Sequence, residues 1–153
     1  KDVPGVAKAD PRLVPAAPYL EFLDYDSMFR LARHGARVLH DKSAVLAKAK
    51  AVRMRVRSTF GSGTGTLIGP ASEGAAPPDF IGLSTSAGPG GRSKLTAVFA
   101  LGRAGAYRRR AAEFAARAGL EPMESGDEDA ISFGCPGSSL NEVAPALFAI
   151  FEG

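Results

Sequence analysis

Apolar and basic residues alternate over residues 52–57: Val52, Met54 and Val56 fall on one side, Arg53, Arg55 and Arg57 on the other. A period of two predicts a half-buried strand with a basic outer face. Upstream the period is helical. Met28, Leu31 and Ala32 follow Asp26, which is placed as an N-cap, and Gly35 offers a stop. Asp41 or Ser43 caps a second predicted helix with Val45, Leu46 and Ala49 on its inner face. Residues 1–20 hold four prolines and little periodicity, so they read as loop with a short extended piece. Residues 61–65 read as a turn before a short strand over 66–68.

Residues 70–79 are rich in Pro, Ala and Gly without an apolar pattern, and are expected to form a linker between two domains, 1–69 and 80–153. Beyond them, 80–84 and 94–101 read as strands joined by a flexible turn. Residues 105–119 predict a helix with Tyr107, Ala111, Phe114, Ala115 and Ala118 on one stripe and Gly119 at its end. Residues 123–125 and 130–135 read as strands around the turn Gly126-Asp127-Glu128-Asp129, which is expected to be exposed. A last helix turns Val143, Ala144, Leu147, Phe148 and Phe151 inward. Ser139 and Glu142 have capping-box spacing. Pro145 then requires either a kink or a helix that begins near Ala144.

The second half is therefore β-β-α-β-β-α. A ferredoxin-like unit is β-α-β-β-α-β, and moving its last strand to the front gives this order. The fold class read from the sequence is α+β: a permuted ferredoxin-like layer after a partial α/β segment.

Composition sets the outer bounds. The 153 residues are 45% hydrophobic and 23% charged, as in an ordinary globular protein. A net charge of +3 is too mild to point to nucleic acid. Arg108-Arg109-Arg110 reads as a solvated helix face, because Arg109 and Arg117 each stand four residues from Glu113. No apolar run approaches the roughly 20 residues of a membrane span. The single cysteine, Cys135, has no internal disulfide partner, so a reducing, cytoplasmic setting is the default. His34 and His40 lack metal-ligand spacing, and no metal site is expected. Gly61-Ser62-Gly63-Thr64-Gly65-Thr66 lacks the Gly-Lys-Ser/Thr ending of a phosphate loop and reads as a structural turn.

Several blocks carry a resemblance in the right order: Asp2-Val3, Gly5-Val6, Asp10-Pro11-Arg12, Leu31-Ala32-Arg33-His34-Gly35-Ala36-Arg37-Val38-Leu39-His40, Val56-Arg57-Ser58-Thr59-Phe60 and Gly65-Thr66-Leu67-Ile68. Residues 1–69 resemble the last third of the catalytic domain of the aspartate kinase family, within the amino-acid-kinase superfamily. The resemblance implies that further kinase sequence belongs upstream. It also implies that 80–153 is a regulatory ACT module, a ferredoxin-like unit that pairs into homodimers and binds amino-acid effectors such as lysine or threonine. Most members carry two such units, and the residues after Gly69 suffice for one.

By the same resemblance, Asp2, Val3, Gly5, Asp10, Pro11 and Arg12 are expected nucleotide contacts. A carboxylate accepts from ribose hydroxyls, and a guanidinium pairs with phosphate oxygens. The sequence departs from the family pattern at Lys1 (usually Thr), Pro4 (usually Asp) and Ala7 (usually Tyr). It also contains no Lys-Phe-Gly-Gly-Thr-type motif. ATP with Mg is thus expected for the whole enzyme, but no cofactor and no kinase activity for this chain alone. Gly102, Arg103, Ala104 and Gly105, between a strand and its helix, stand where such modules cradle an effector, or form a purely structural turn. A non-catalytic regulatory subunit is the alternative reading. Nucleic-acid and membrane partners are not expected.

Overall fold

The computed structural model describes residues 2–153, so the expectation at Lys1 lies outside it. Among the described residues there are three sheets and four α-helices. Strands β1 (Val6–Ala7) and β2 (Tyr19–Leu20) form an antiparallel pair within the proline-rich start. Strand β3 (Phe22–Asp24) leads directly into helix α1 (Tyr25–Arg33). Its cap is Asp24 rather than Asp26. The Asp24 carboxylate accepts from the Ser27 backbone N–H at 2.9 Å and from the Ser27 hydroxyl at 2.7 Å. Asp26, two residues on, instead pairs with Lys48 at 2.7 Å.

Gly35 ends α1 as its position suggested. With φ +111°, it donates to the Ala32 carbonyl, and Ala36 donates to that of Leu31, a Schellman closure. A Cβ there would lie 2.8 Å from the Thr85 carbonyl, so only glycine lets this turn approach the neighbouring strand so closely.

Helix α2 (Asp41–Ala49) buries Ala44 and Ala47. Val45 and Leu46, expected inside, are exposed. Alanines allow a close approach of α2 to α1, and they rather than the larger residues define the packed face. Strand β4 (Met54–Val56) keeps the expected alternation over its three residues, but Val52, expected inward, lies outside the strand and is exposed. The strand pairs antiparallel with β5 (Thr66–Gly69), which lies parallel to β3.

The second half supplies β6 (Phe80–Ala87), β7 (Arg92–Phe99), α3 (Arg108–Ala118), β8 (Glu121–Met123), β9 (Ala130–Pro136) and α4 (Leu140–Glu152). The strands form one antiparallel sheet in the order β6-β7-β9-β8. The helix predicted from residue 105 begins as a short 3-10 turn over Ala104–Tyr107. Strand β8 sits two residues earlier than expected. Ser139 makes no side-chain cap bond, so the capping box does not form, and α4 runs through Pro145.

Both faces of this sheet are covered. Phe80, Leu95, Phe99, Phe133 and Cys135 meet α3 and α4, where Phe80, Phe99, Tyr107, Phe148 and Phe151 form a ring cluster. Ile81, Val98 and Ala100 meet Leu23, Met28, Leu31 and Ile68 of the first half. Double coverage explains why β9 is buried from Ala130 to Cys135 rather than alternating. Among the described residues no helix is long and apolar enough to cross a membrane.

Candidate functional site

The first-half motifs fold back on one another. The Asp2 carboxylate accepts from the Thr59 backbone N–H and the Ser58 hydroxyl, both at 2.8 Å. These bonds hold its pKa below the usual 3.8, the Thr59 N–H contributing most. Thr66 ties the next turn down: its hydroxyl accepts from the Val6 N–H at 2.8 Å and donates to the Leu20 carbonyl at 2.5 Å. A Cβ on Gly5 would press on that hydroxyl at 2.8 Å.

Asp10-Pro11-Arg12 forms a single tight turn, with the Leu13 and Val14 N–H groups donating to the Asp10 carbonyl at 2.9 Å. Arg12 lies flat on Asp10, Nε to Oδ1 at 3.0 Å and Nη2 to Oδ2 at 2.6 Å. This fork raises the Arg12 pKa above its already high ordinary value, the hydrogen bond first and the charge second. Asp2 and Arg12 are both held in place by protein groups. A carboxylate has about four lone-pair directions and a guanidinium five donors, so each retains capacity for a ligand.

Asp2, Val3, Gly5, Asp10, Pro11 and Arg12 line one open cleft of about 680 Å³. Its opposite wall combines Gly35, Arg37 and Val38 from the turn after α1 with Leu83–Ala87 of β6. That second wall is not readable from local pattern, because nothing in the sequence marks β6 as the neighbour of residues 2–13. The decisive contacts come from Lys8. Its carbonyl accepts from the Leu83 N–H at 2.6 Å, and its ammonium pairs with Glu152 at 2.6 Å while lying 5.2 Å from the Phe80 ring centre.

Gly102, Arg103, Ala104 and Gly105 lie together at the β7–α3 turn and are not among the residues lining the cleft. Gly102 has φ +75° and donates to Asp129 Oδ1 at 2.8 Å. Arg103 pairs with Asp79 at 3.3 Å, and Ala104 is fully buried. The Asp127–Asp129 turn is therefore not the free surface loop expected. Asp129 also lies 3.8 Å from Arg30, which donates to the Phe99 carbonyl at 2.7 Å, and Asp127 lies 3.4 Å from His34 Nε2. Helix α1 is thus fastened to the same turn that holds Gly102. Among the described residues no group of three or more His, Cys, Asp or Glu could hold a metal ion.

Residues 1–58 match the amino acid kinase family. Over 67 residues the chain is 48% identical to the aspartokinase of Corynebacterium efficiens and, again over 67 residues, 48% identical to aspartokinase 2 of Bacillus subtilis. The chain is related to the aspartokinases. Each of these alignments covers 44% of this chain and 16% of the relative, so the chain spans about a sixth of the length of the curated aspartokinases it matches. In three dimensions the likeness extends further. Aspartokinase III of E. coli, solved with aspartate and ADP, superposes with a TM-score of 0.80 at 16% identity, covering 99% of this chain and 51% of that one. The Clostridium acetobutylicum aspartate kinase gives 0.77 at 13% identity, covering 99% of this chain and 53% of that one. The aspartokinase fold thus continues past the region of clear sequence identity and through the four-stranded sheet.

Proposed function

We propose that the chain is the part of an aspartokinase in which a nucleotide cleft meets a regulatory ACT-type layer, a ferredoxin-like unit permuted to β-β-α-β-β-α. The parent reaction moves the γ-phosphoryl group of ATP, carried with Mg, onto the side-chain carboxylate of aspartate. One observation carries the reading: six residues from two separate motifs converge on a single cleft. Phosphoryl transfer depends on positioning and charge neutralisation. This sequence has no Lys-Phe-Gly-Gly-Thr-type motif, so its role alone is to bind and to regulate, not to catalyse.

In the regulatory role, Gly102, Arg103, Ala104 and Gly105 receive an amino-acid effector, lysine or threonine, and the layer pairs with that of a second copy. An effector shifts the enzyme only by its difference in affinity for two states. The bond that the Gly102 N–H donates to Asp129, with the Arg30–Asp129 pair and the Arg30 bond to the Phe99 carbonyl, supports this role, because together they join the effector turn to α1, whose C-terminal turn lines the cleft.

Titration calorimetry with ADP and Mg tests the nucleotide reading. Saturable binding that weakens in Arg12→Gln is expected, and no saturable heat overturns it. Parallel titrations with lysine, threonine and methionine test the effector reading, with lysine or threonine expected to bind.

A further inference from the structure

Ser84 sits on the wall of the cleft that belongs to the four-stranded sheet, and its hydroxyl has no protein partner. Among the described residues, its Oγ is the one buried side-chain polar atom without a hydrogen bond. The residue is 3% exposed. Its cross-strand neighbour Thr96 lies opposite Ser132, and these two hydroxyls are joined at 2.8 Å. Three hydroxyls therefore cross β6, β7 and β9 in a row. The row is paired at the Ser132 end and unpaired at the Ser84 end, where the hydroxyl is buried and the residue lines the cleft. A buried hydroxyl left unpaired is costly, and in native structures such a group marks a missing partner.

The charges around the cleft narrow the choice of partner. Asp2 is held by Ser58 and Thr59, and Asp10 and Arg12 neutralise each other. Asp2 keeps its negative charge, because its donors are neutral, while Arg37 is exposed and, among the described residues, is the cleft-lining cation without a protein partner. A ligand with phosphate oxygens for Arg37 and a polar group for Ser84 fits both.

We propose that Ser84 is a nucleotide contact: β6 of the four-stranded layer forms one wall of the nucleotide cleft, with the Ser84 hydroxyl as its buried polar anchor and Arg37 as its cation for phosphate oxygens. The inference rests on the nucleotide reading of this cleft. It adds that the regulatory layer touches the nucleotide itself, so cleft occupancy acts on the sheet directly.

ADP titrated into the wild-type chain, Ser84→Ala and Arg37→Gln, alongside thermal melts, tests it. Loss of one neutral hydrogen bond predicts about five-fold weaker ADP binding in Ser84→Ala. Its Tm is expected to be unchanged or raised, because no protein hydrogen bond is lost. Arg37→Gln is expected to weaken ADP more than adenosine. Wild-type binding of ADP that Ser84→Ala leaves intact overturns this inference alone. A lowered Tm with unchanged affinity does the same and marks the hydroxyl as part of the fold. No ADP binding by the wild type overturns the nucleotide reading and this inference together.

Discussion

Lys8 Nζ lies 2.6 Å from Glu152 Oε2, joining residues 144 apart in sequence. The lysine side chain is buried, while the glutamate is about one-third exposed. Its methylene stem runs into the interior, and the charge reaches its partner at the end of α4. Residues 2–13 are thereby held against the sheet, and the cleft keeps its second wall.

Removing one partner of such a pair strands the other charge. Glu152→Ala is expected to destabilise by about 1–3 kcal/mol, discounted from the fully buried case because Glu152 is partly solvated. Lys8→Met, which keeps the stem and removes the charge, should cost less. Urea midpoints of the two variants compare them, and equal losses would count against a stranded-charge explanation.

The end of α2 carries strain. Ala51 has φ +51° and donates to the Lys48 carbonyl, while Val52 donates to that of Ala47. This is the left-handed closure that glycine favours. Ala51→Gly is expected to stabilise by up to about 1 kcal/mol, seen as a rise in Tm of several degrees. A fall in Tm would show that the conformation is not strained.

His34 makes stability depend on pH. Burial pushes its pKa below 6.5; the hydrogen bond and charge of Asp127 oppose this, and Lys94 and Arg33 reinforce it. A base whose folded pKa is depressed is protonated first in the unfolded chain. Stability is therefore complete above the unfolded pKa and falls as pH drops below it toward the depressed folded value. Urea midpoints should decline between about pH 7.5 and pH 5.5, and His34→Gln should flatten that slope. An unchanged slope in the variant would assign the effect elsewhere.

Cys135 is fully buried in β9, and desolvation raises its thiol pKa. It should resist an aromatic disulfide reagent in the folded protein and react promptly in denaturant. Fast labelling of the native chain would contradict the packing of β9.

Much of this was legible in the sequence. The alternation over Met54–Val56, the stop at Gly35 and the stripe at Ala111 and Ala115 are local signals, and each stands in the structure, whereas Val52 is exposed outside the strand. The β-β-α-β-β-α order followed from the same kind of pattern. What was missed depends on tertiary contacts. Asp24 and Asp26 are both good caps, and only the strand before α1 selects Asp24. Nothing local turns Ala44 inward and leaves Leu46 outside. The acidic turn looked solvated because Arg30 and His34 lie far upstream. The candidate nucleotide residues were readable as motifs, whereas the wall opposite them, Ser84 included, was not.

Residues 2–12 and strand β6 are expected to enclose one nucleotide. An amide NMR map of an ADP titration tests this most directly. Saturable shifts are expected together in residues 2–12 and 83–87, with smaller changes at 102–105. Shifts confined to the α3 and α4 face, or no saturable shift at all, would contradict it.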